Sequence, residues 1–361
     1  MSYMRRMISL LLLVVFSLGA VVLLDGGDVL ACSRVLSADN GQAVLAGRNM
    51  DWPVNIGNEL WVFPRGMKRN GLIANPITWT SKYGSMILAS FFLPGKGATV
   101  NGMNEKGLAA DALWLDKSDY GVRDERVPGL AISLWAQYII DNYATVEEAV
   151  QALQKTPYQI MTFFMPEGDA TVTAYIHLSL EDKTGDSAII EYVGGKQTIH
   201  HDRKYAVMTN EPPLEGQEEN LKQYEGFGGT KPLPGTTTPE DRFVRASYYL
   251  KYLPKPNNLR EALAGIFSVM RNAAQPFRAS VDPRHPNTSA TLWRLVGDLT
   301  NGTYYFESTT SPYLVWANLN EFDLKEGASP MKLDLNSNPD LSGDVTKQFV
   351  KAEPFEYFVS K

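Results

Sequence analysis

The polar and apolar positions first form a block: Arg5 and Arg6, then a mainly apolar run from Met7 to Leu24 interrupted by Ser9, Ser17 and Gly19. This pattern reads as an export leader and is set apart from the fold. The run exceeds a signal core of roughly 7 to 15 residues and falls short of the roughly 20 apolar residues of a spanning helix. The small residue Ala31 places the cleavage before Cys32, with residues 1–31 removed; an uncleaved anchor is the alternative. From residue 32 the period shortens to two. "CSRVLSADNGQAVLAGRNMD" predicts a strand, a turn at Asp39-Asn40-Gly41 and a second strand stopped by Pro53. "GATVNGMNEKGLAADALWL" predicts another hairpin turning at Asn104 to Gly107.

The period then becomes helical from Leu130 to Asp141, and Thr145 with Glu148 forms a capping box for a further helix through Gln154. Strand patterning returns in "TVTAYIHLSL", "SAIIEYVGG" and "YAVMTN". Pro213 to Thr238 reads as a surface loop carrying a short helix, followed by helical spacing at 241–252 and 258–273. "TLWRLVGDL" and "YYFES", joined by the turn "TNGT", end the pattern as strands. Blocks of strands alternating with blocks of helices predict an α+β fold, two stacked antiparallel sheets flanked by helices. With no internal repeat and no clear linker, residues 32–361 read as one domain.

The 44% hydrophobic content is that of an ordinary globular core. A net charge of -6, with no basic run and no metal-ligand spacing, argues against nucleic-acid binding and metal chemistry. His177, His200, His201 and His285 sit in no Cys/His signature and read as solvated or structural, a papain-like pairing being the alternative. "NTS" at 287 and "NGT" at 301 match glycosylation triplets that arise readily by chance.

Cys32 is the single cysteine, so it cannot close a bridge within the chain. It can be a small buried hydrophobe, although a cleavage junction is an odd place for core filler. It can pair with another chain. It can carry lipid, since "VLAC" matches a lipobox, in which case the protein is a lipid-anchored binding module; Asp25 to Asp28 separate the cysteine from the apolar run, against that reading. It can also be an N-terminal nucleophile exposed by leader removal, its own α-amine, ordinarily titrating near roughly 7.7 to 8.0, acting as the base. The hairpin bears on this. A three-residue loop sets Cys32 opposite Arg48, whose guanidinium favours a thiolate, while a two-residue loop sets Cys32 opposite Asn49 and turns Arg48 away. Asp51 can accept a hydrogen bond from the α-ammonium or orient Arg48.

"CSRVLSADNGQAVLAGRNMDW" resembles the mature start of the choloylglycine hydrolases, the N-terminal nucleophile (Ntn) hydrolase family of bile salt hydrolases and penicillin V acylases. The spacing of Cys32, Arg48 and Asp51 matches, and "NEKGL", "MTNEPP" and "RFVRASYY" follow in order as far as about residue 250. The resemblance implies a four-layer αββα sandwich, hydrolysis of a linear amide through an acyl-enzyme, no metal or organic cofactor, and a homotetramer. It implies Cys32 as nucleophile and base, Arg48 and Asp51 tuning it, Asn210 donating to the oxyanion, and Arg242, with Arg245 as a rival, holding charge near the sulfur. Where many bile salt hydrolases read "GLNF", this chain reads "ALWL". Trp114, with Trp52 and Met50, is therefore expected to form a flat apolar substrate wall suited to a phenoxyacetyl ring or a fatty acyl chain. The leader implies an exported enzyme, periplasmic or secreted and not membrane-inserted after cleavage; with the tryptophan it resembles the Gram-negative branch, which leans toward penicillin V and acyl-homoserine lactones over bile salts.

Overall fold

The computed structural model describes residues 31–54, 56–156, 158–167, 170–277, 289–338 and 340–359. Of the leader expected over residues 1–31 all but Ala31 lies outside the described residues, as do His285 and the first two residues of the triplet at 287. Among the described residues, one sheet has seven strands in the order Val207–Met208, Ala31–Ser37, Leu45–Trp52, Ala290–Asp298, Thr303–Ser308, Leu314–Asn318 and Gly343–Asp344. Its pairs are antiparallel except the last. The second sheet runs Lys196–His201, Ser187–Val193, Ile176–Asp182, Leu108–Trp114, Lys96–Asn104, Ser85–Leu93, Gly57–Phe63, Met331–Asp334 and Val350–Lys351. Glu356–Tyr357 adds to it in parallel beside Lys96–Asn104.

Helices cover the outer faces. Trp135–Asn142 lies on the second sheet, where the Asn104 amide donates to the Ile140 and Tyr143 carbonyls at 2.8 Å each, tying the "NEKGL" turn to the end of the helix. Leu259–Asn272 lies on the first sheet so closely that a Cβ on Gly47 would stand 2.8 Å from Met270 Cγ and 3.1 Å from Ile266 Cγ1. Pro239–Lys251 flanks it, Arg242 donating to Ser33 Oγ at 2.7 Å. The strand period of two therefore sends Ser33 outward to the helices. Cys32 and Arg34 turn inward to the other sheet, where Arg34 meets Glu181 at 2.5 Å. The result is the α+β arrangement expected from the order of elements, with the αββα layering that the resemblance implies.

Two local expectations change. The first hairpin takes neither of the registers foreseen: Cys32 pairs with Met50 and Arg34 with Arg48. The loop is longer because the Asn40 side chain organises it, accepting from the Gln42 and Ala43 amides at 2.9 and 3.1 Å and donating to the Ser37 and Ala43 carbonyls at 3.1 and 2.8 Å. Gly41 takes the left-handed conformation there (φ +77°). The helical span from Leu130 also begins differently. Gly129–Ala131 is a short strand parallel to Gln159–Met161, followed by a 3-10 turn, Ile132–Leu134, before helix Trp135–Asn142. All of residues 129–134 are buried, so their apolar character carries no period to read. The capping box holds: Thr145 accepts from the Glu148 amide at 3.1 Å and Glu148 from the Ala144 amide at 2.7 Å, opening Val146–Lys155. Among the described residues no helix is long and apolar enough to cross a membrane.

Candidate active site

Cys32 is buried on the inner face of the first sheet, with Met50 Sδ 3.9 Å from its sulfur. Arg48, two residues along the neighbouring strand, shares that face, and its Nη2 stands 3.8 Å from Sγ. The observed register therefore brings Arg48 to the sulfur diagonally. Arg48 Nε lies 3.8 Å from Asp111 Oδ1 on the second sheet, and its guanidinium carbon 5.7 Å from the centre of the Trp293 ring.

Asp51 sits on the other face of the same strand, paired across the sheet with Ala31 on one side and Thr291 on the other. Its Oδ1 accepts from Thr291 Oγ1 at 2.5 Å. Its Oδ2 is buried with no hydrogen-bond partner among the described residues, Arg242 Nη1 being 3.8 Å away. Asn210 Oδ1 accepts from the Cys32 amide at 2.6 Å and from Arg242 Nη2 at 2.7 Å, and its Nδ2 donates to the Trp114 carbonyl at 2.7 Å. Arg242 Nη1 also donates to the Cys32 carbonyl. It thus grips the backbone of residue 32 and the Asn210 amide more closely than the sulfur. Its rival Arg245 donates to the Asn272 and Thr236 carbonyls and staples the helix to its flanking loop.

Burial pushes the Cys32 thiol above its ordinary range and the Asp51 carboxylate pushes the same way; Arg48, the Asp51 backbone N–H and Arg242 pull down. Burial also lifts Asp51 to about 6, against Arg242, the Thr291 hydroxyl and Arg48.

The structure adds residues that the sequence did not single out. Arg34 donates to Glu181 Oε2 and Ser187 Oγ, and burial with the nearby Asp111 pushes Glu181 well above the usual carboxyl range despite Arg34. An arginine on the inward parity of a strand was the available signal. His177 joins Glu191 Oε1 at 3.1 Å and the Thr209 carbonyl at 2.8 Å, while Glu191 accepts from the Leu214 amide. This pair braces both ends of the segment that carries Asn210. Burial alone would raise Glu191, but the hydrogen bonds from His177 and His200 outweigh it and hold the carboxyl down at about 2. The structural reading of His177 stands; Thr291 and Glu191 had no sequence signal, being ordinary strand residues.

Beside Cys32 a narrow cavity of about 60 Å³ is walled by Met50, Trp52, Trp114, Phe163 and Ile176 among others. The tryptophan rings meet edge to face, 5.6 Å apart at 66°, so the wall is a corner where a flat surface was expected.

The model for linear amide C–N hydrolases of the choloylglycine hydrolase type matches residues 32–346. The chain belongs to the choloylglycine hydrolase family. It is 41% identical to the penicillin V acylase of Pectobacterium atrosepticum over 95% of this chain and 96% of that protein. The structure of penicillin V acylase from Agrobacterium tumefaciens superposes with a TM-score of 0.80 at 43% identity, covering 91% of this chain and 100% of that one. A bile salt hydrolase/transferase of Clostridium perfringens is 25% identical over 73% of this chain and 85% of its own length. This member of the family is a hydrolase of linear amides with the penicillin V acylase-like Ntn fold. Three of the sequence blocks that carried the resemblance meet in space: Cys32, Arg48, Asp51, Asn210 and Arg242 form one cluster, with Met50, Trp52 and Trp114 beside it, while the "NEKGL" turn sits at the end of helix Trp135–Asn142.

Proposed function

We propose that this choloylglycine hydrolase is an exported penicillin V acylase, acting on aromatic and fatty acyl amides including acyl-homoserine lactones, with Cys32 as its N-terminal nucleophile. The observation that carries the reading is the partnerless Asp51 Oδ2 next to the Ala31–Cys32 junction. Ala31 is the cross-strand neighbour of Asp51, so cutting before Cys32 removes that neighbour and creates an amine beside a buried carboxylate that lacks a donor. The ion pair so formed completes the site and orients the amine.

In the catalytic cycle the α-amine takes the thiol proton and Arg48 stabilises the thiolate. Sulfur attacks the amide carbonyl. Negative charge passes to its oxygen, which Asn210 meets with its second Nδ2 hydrogen, the first being held by the Trp114 carbonyl. The intermediate collapses as the C–N bond breaks, and the departing amine takes the proton from the α-ammonium. Water then attacks the thioester, giving one proton to the α-amine, and the acid leaves as the thiol is restored. Arg242 holds the backbone of residue 32 and Asn210 in register throughout. The acyl group enters the apolar corner of Trp52 and Trp114. The protein assembles as the tetramer that the family resemblance implies.

The test measures penicillin V hydrolysis by the processed protein, by Cys32→Ser and by a chain retaining Ala31. The processed protein turns over, while Cys32→Ser folds but loses at least about 10³-fold in kcat, the loss of an essential nucleophile. The chain retaining Ala31 is inactive. Normal turnover by either variant would sink the mechanism, and a processed mass increased by lipid would make Cys32 an anchor.

A further inference from the structure

The wall of the Cys32 cavity carries two buried polar side chains with unused donors: Arg48, through Nε and Nη1, and Ser133, through Oγ. Thr99, also on the wall, is bonded to Gln137 and Tyr357 at 3.0 Å each. Ser133 lies in the 3-10 turn Ile132–Leu134 and is 2% exposed. The wall is otherwise mainly apolar, with Ile132, Ile176 and Phe163 among its residues. A buried hydroxyl with no partner costs the fold stability, and alanine would fill the same space without that cost. Ser133 also lines the nucleophile's cavity, where a bound molecule can bring an acceptor to it.

We infer that Ser133 is a specificity-determining residue whose hydroxyl donates to an acceptor oxygen on the acyl group. The inference rests on the proposed function, in which the acyl group occupies this cavity. The ligand class is then an acyl chain with an ether or keto oxygen beyond the scissile carbonyl, favoured over its hydrocarbon isostere. The Arg48 cation on the same wall reinforces the sign, since it attracts an electron-rich oxygen and disfavours a cationic substituent. One neutral hydrogen bond to an otherwise unused donor is worth about tenfold in kcat/KM.

The experiment uses four amides of 6-aminopenicillanic acid in two pairs: phenoxyacetyl against 3-phenylpropanoyl, and 3-oxooctanoyl against octanoyl. Each pair differs by the oxygen while leaving group and overall shape are kept. The processed wild type prefers the oxygen-bearing member about tenfold in at least one pair, and the pair that responds separates ether from keto recognition. In Ser133→Ala that ratio falls to within about twofold, with a melting temperature no lower than wild type. A ratio near one in the wild type, or one that survives in Ser133→Ala because Arg48 is the donor, overturns the inference alone. Turnover of none of the four overturns the proposed function and the inference with it. Should Ser133→Ala not fold, the wild-type ratios decide by themselves, a ratio near one in both pairs overturning the inference.

Discussion

Asp51 makes a prediction whose size follows from its surroundings. In the chain that retains Ala31, burial holds its carboxyl at about 6, against an ordinary 3.8, and Oδ2 has no donor. A carboxyl with a raised folded-state pKa binds its proton more tightly in the fold, so ionisation opposes folding. The penalty is absent below about pH 4, grows as pH rises and is complete above about pH 6, reaching about 3 kcal/mol. Asparagine cannot ionise. In proteins retaining Ala31, Asp51→Asn is therefore expected to gain about 3 kcal/mol relative to its parent between pH 4 and pH 7, read by urea denaturation at four pH values. If cleavage before Cys32 forms the proposed ion pair, the α-ammonium is expected to lower the carboxyl again, and the pH-dependent difference to shrink in the processed protein. A stability difference that stays flat with pH in the unprocessed pair would refute this account of Asp51, and equal curves before and after processing would refute the ion pair.

Two further substitutions probe the supports of the site. Gly47→Ala places a methyl 2.8 Å from Met270 Cγ and 2.9 Å from Sδ, so overpacking should cost about 1–3 kcal/mol, visible as a lowered melting temperature that Met270→Ala partly restores. Glu191, held at about 2, contributes stability that is present above its unfolded pKa near pH 4.5 and lost as pH falls toward 2. Glu191→Gln should accordingly cost about 3 kcal/mol at pH 7, with a gap to wild type that narrows between pH 4.5 and pH 3 in urea titrations; a gap independent of pH contradicts the ionised Glu191 carboxylate.

The family was legible in the linear chain because its signals are short stretches of sequence. A lone cysteine after a small residue, an arginine and an aspartate at fixed spacing, and the blocks around Asn104, Asn210 and Arg242 resemble the family when taken together and in order. The capping box at Thr145 and the alternation of strand and helix blocks were legible for the same reason, since caps and side-chain parity act within a few residues.

What the sequence by itself determined was therefore the fold class and the family. The tertiary structure decided the geometry. The seven-residue connection shaped by Asn40 set the register that brings Arg48 diagonally to the sulfur, and no turn rule for two or three residues foresaw it. The second sheet supplied Asp111 and Glu181, and the strand Ala290–Asp298 supplied Thr291 to Asp51. Arg242 became a clamp on the Cys32 backbone because helix Pro239–Lys251 packs over Ser33. Such partners lie far from Cys32 along the chain, and burial acts on all of them together. Only packing brings them within hydrogen-bonding distance and removes the water that would otherwise screen their charges.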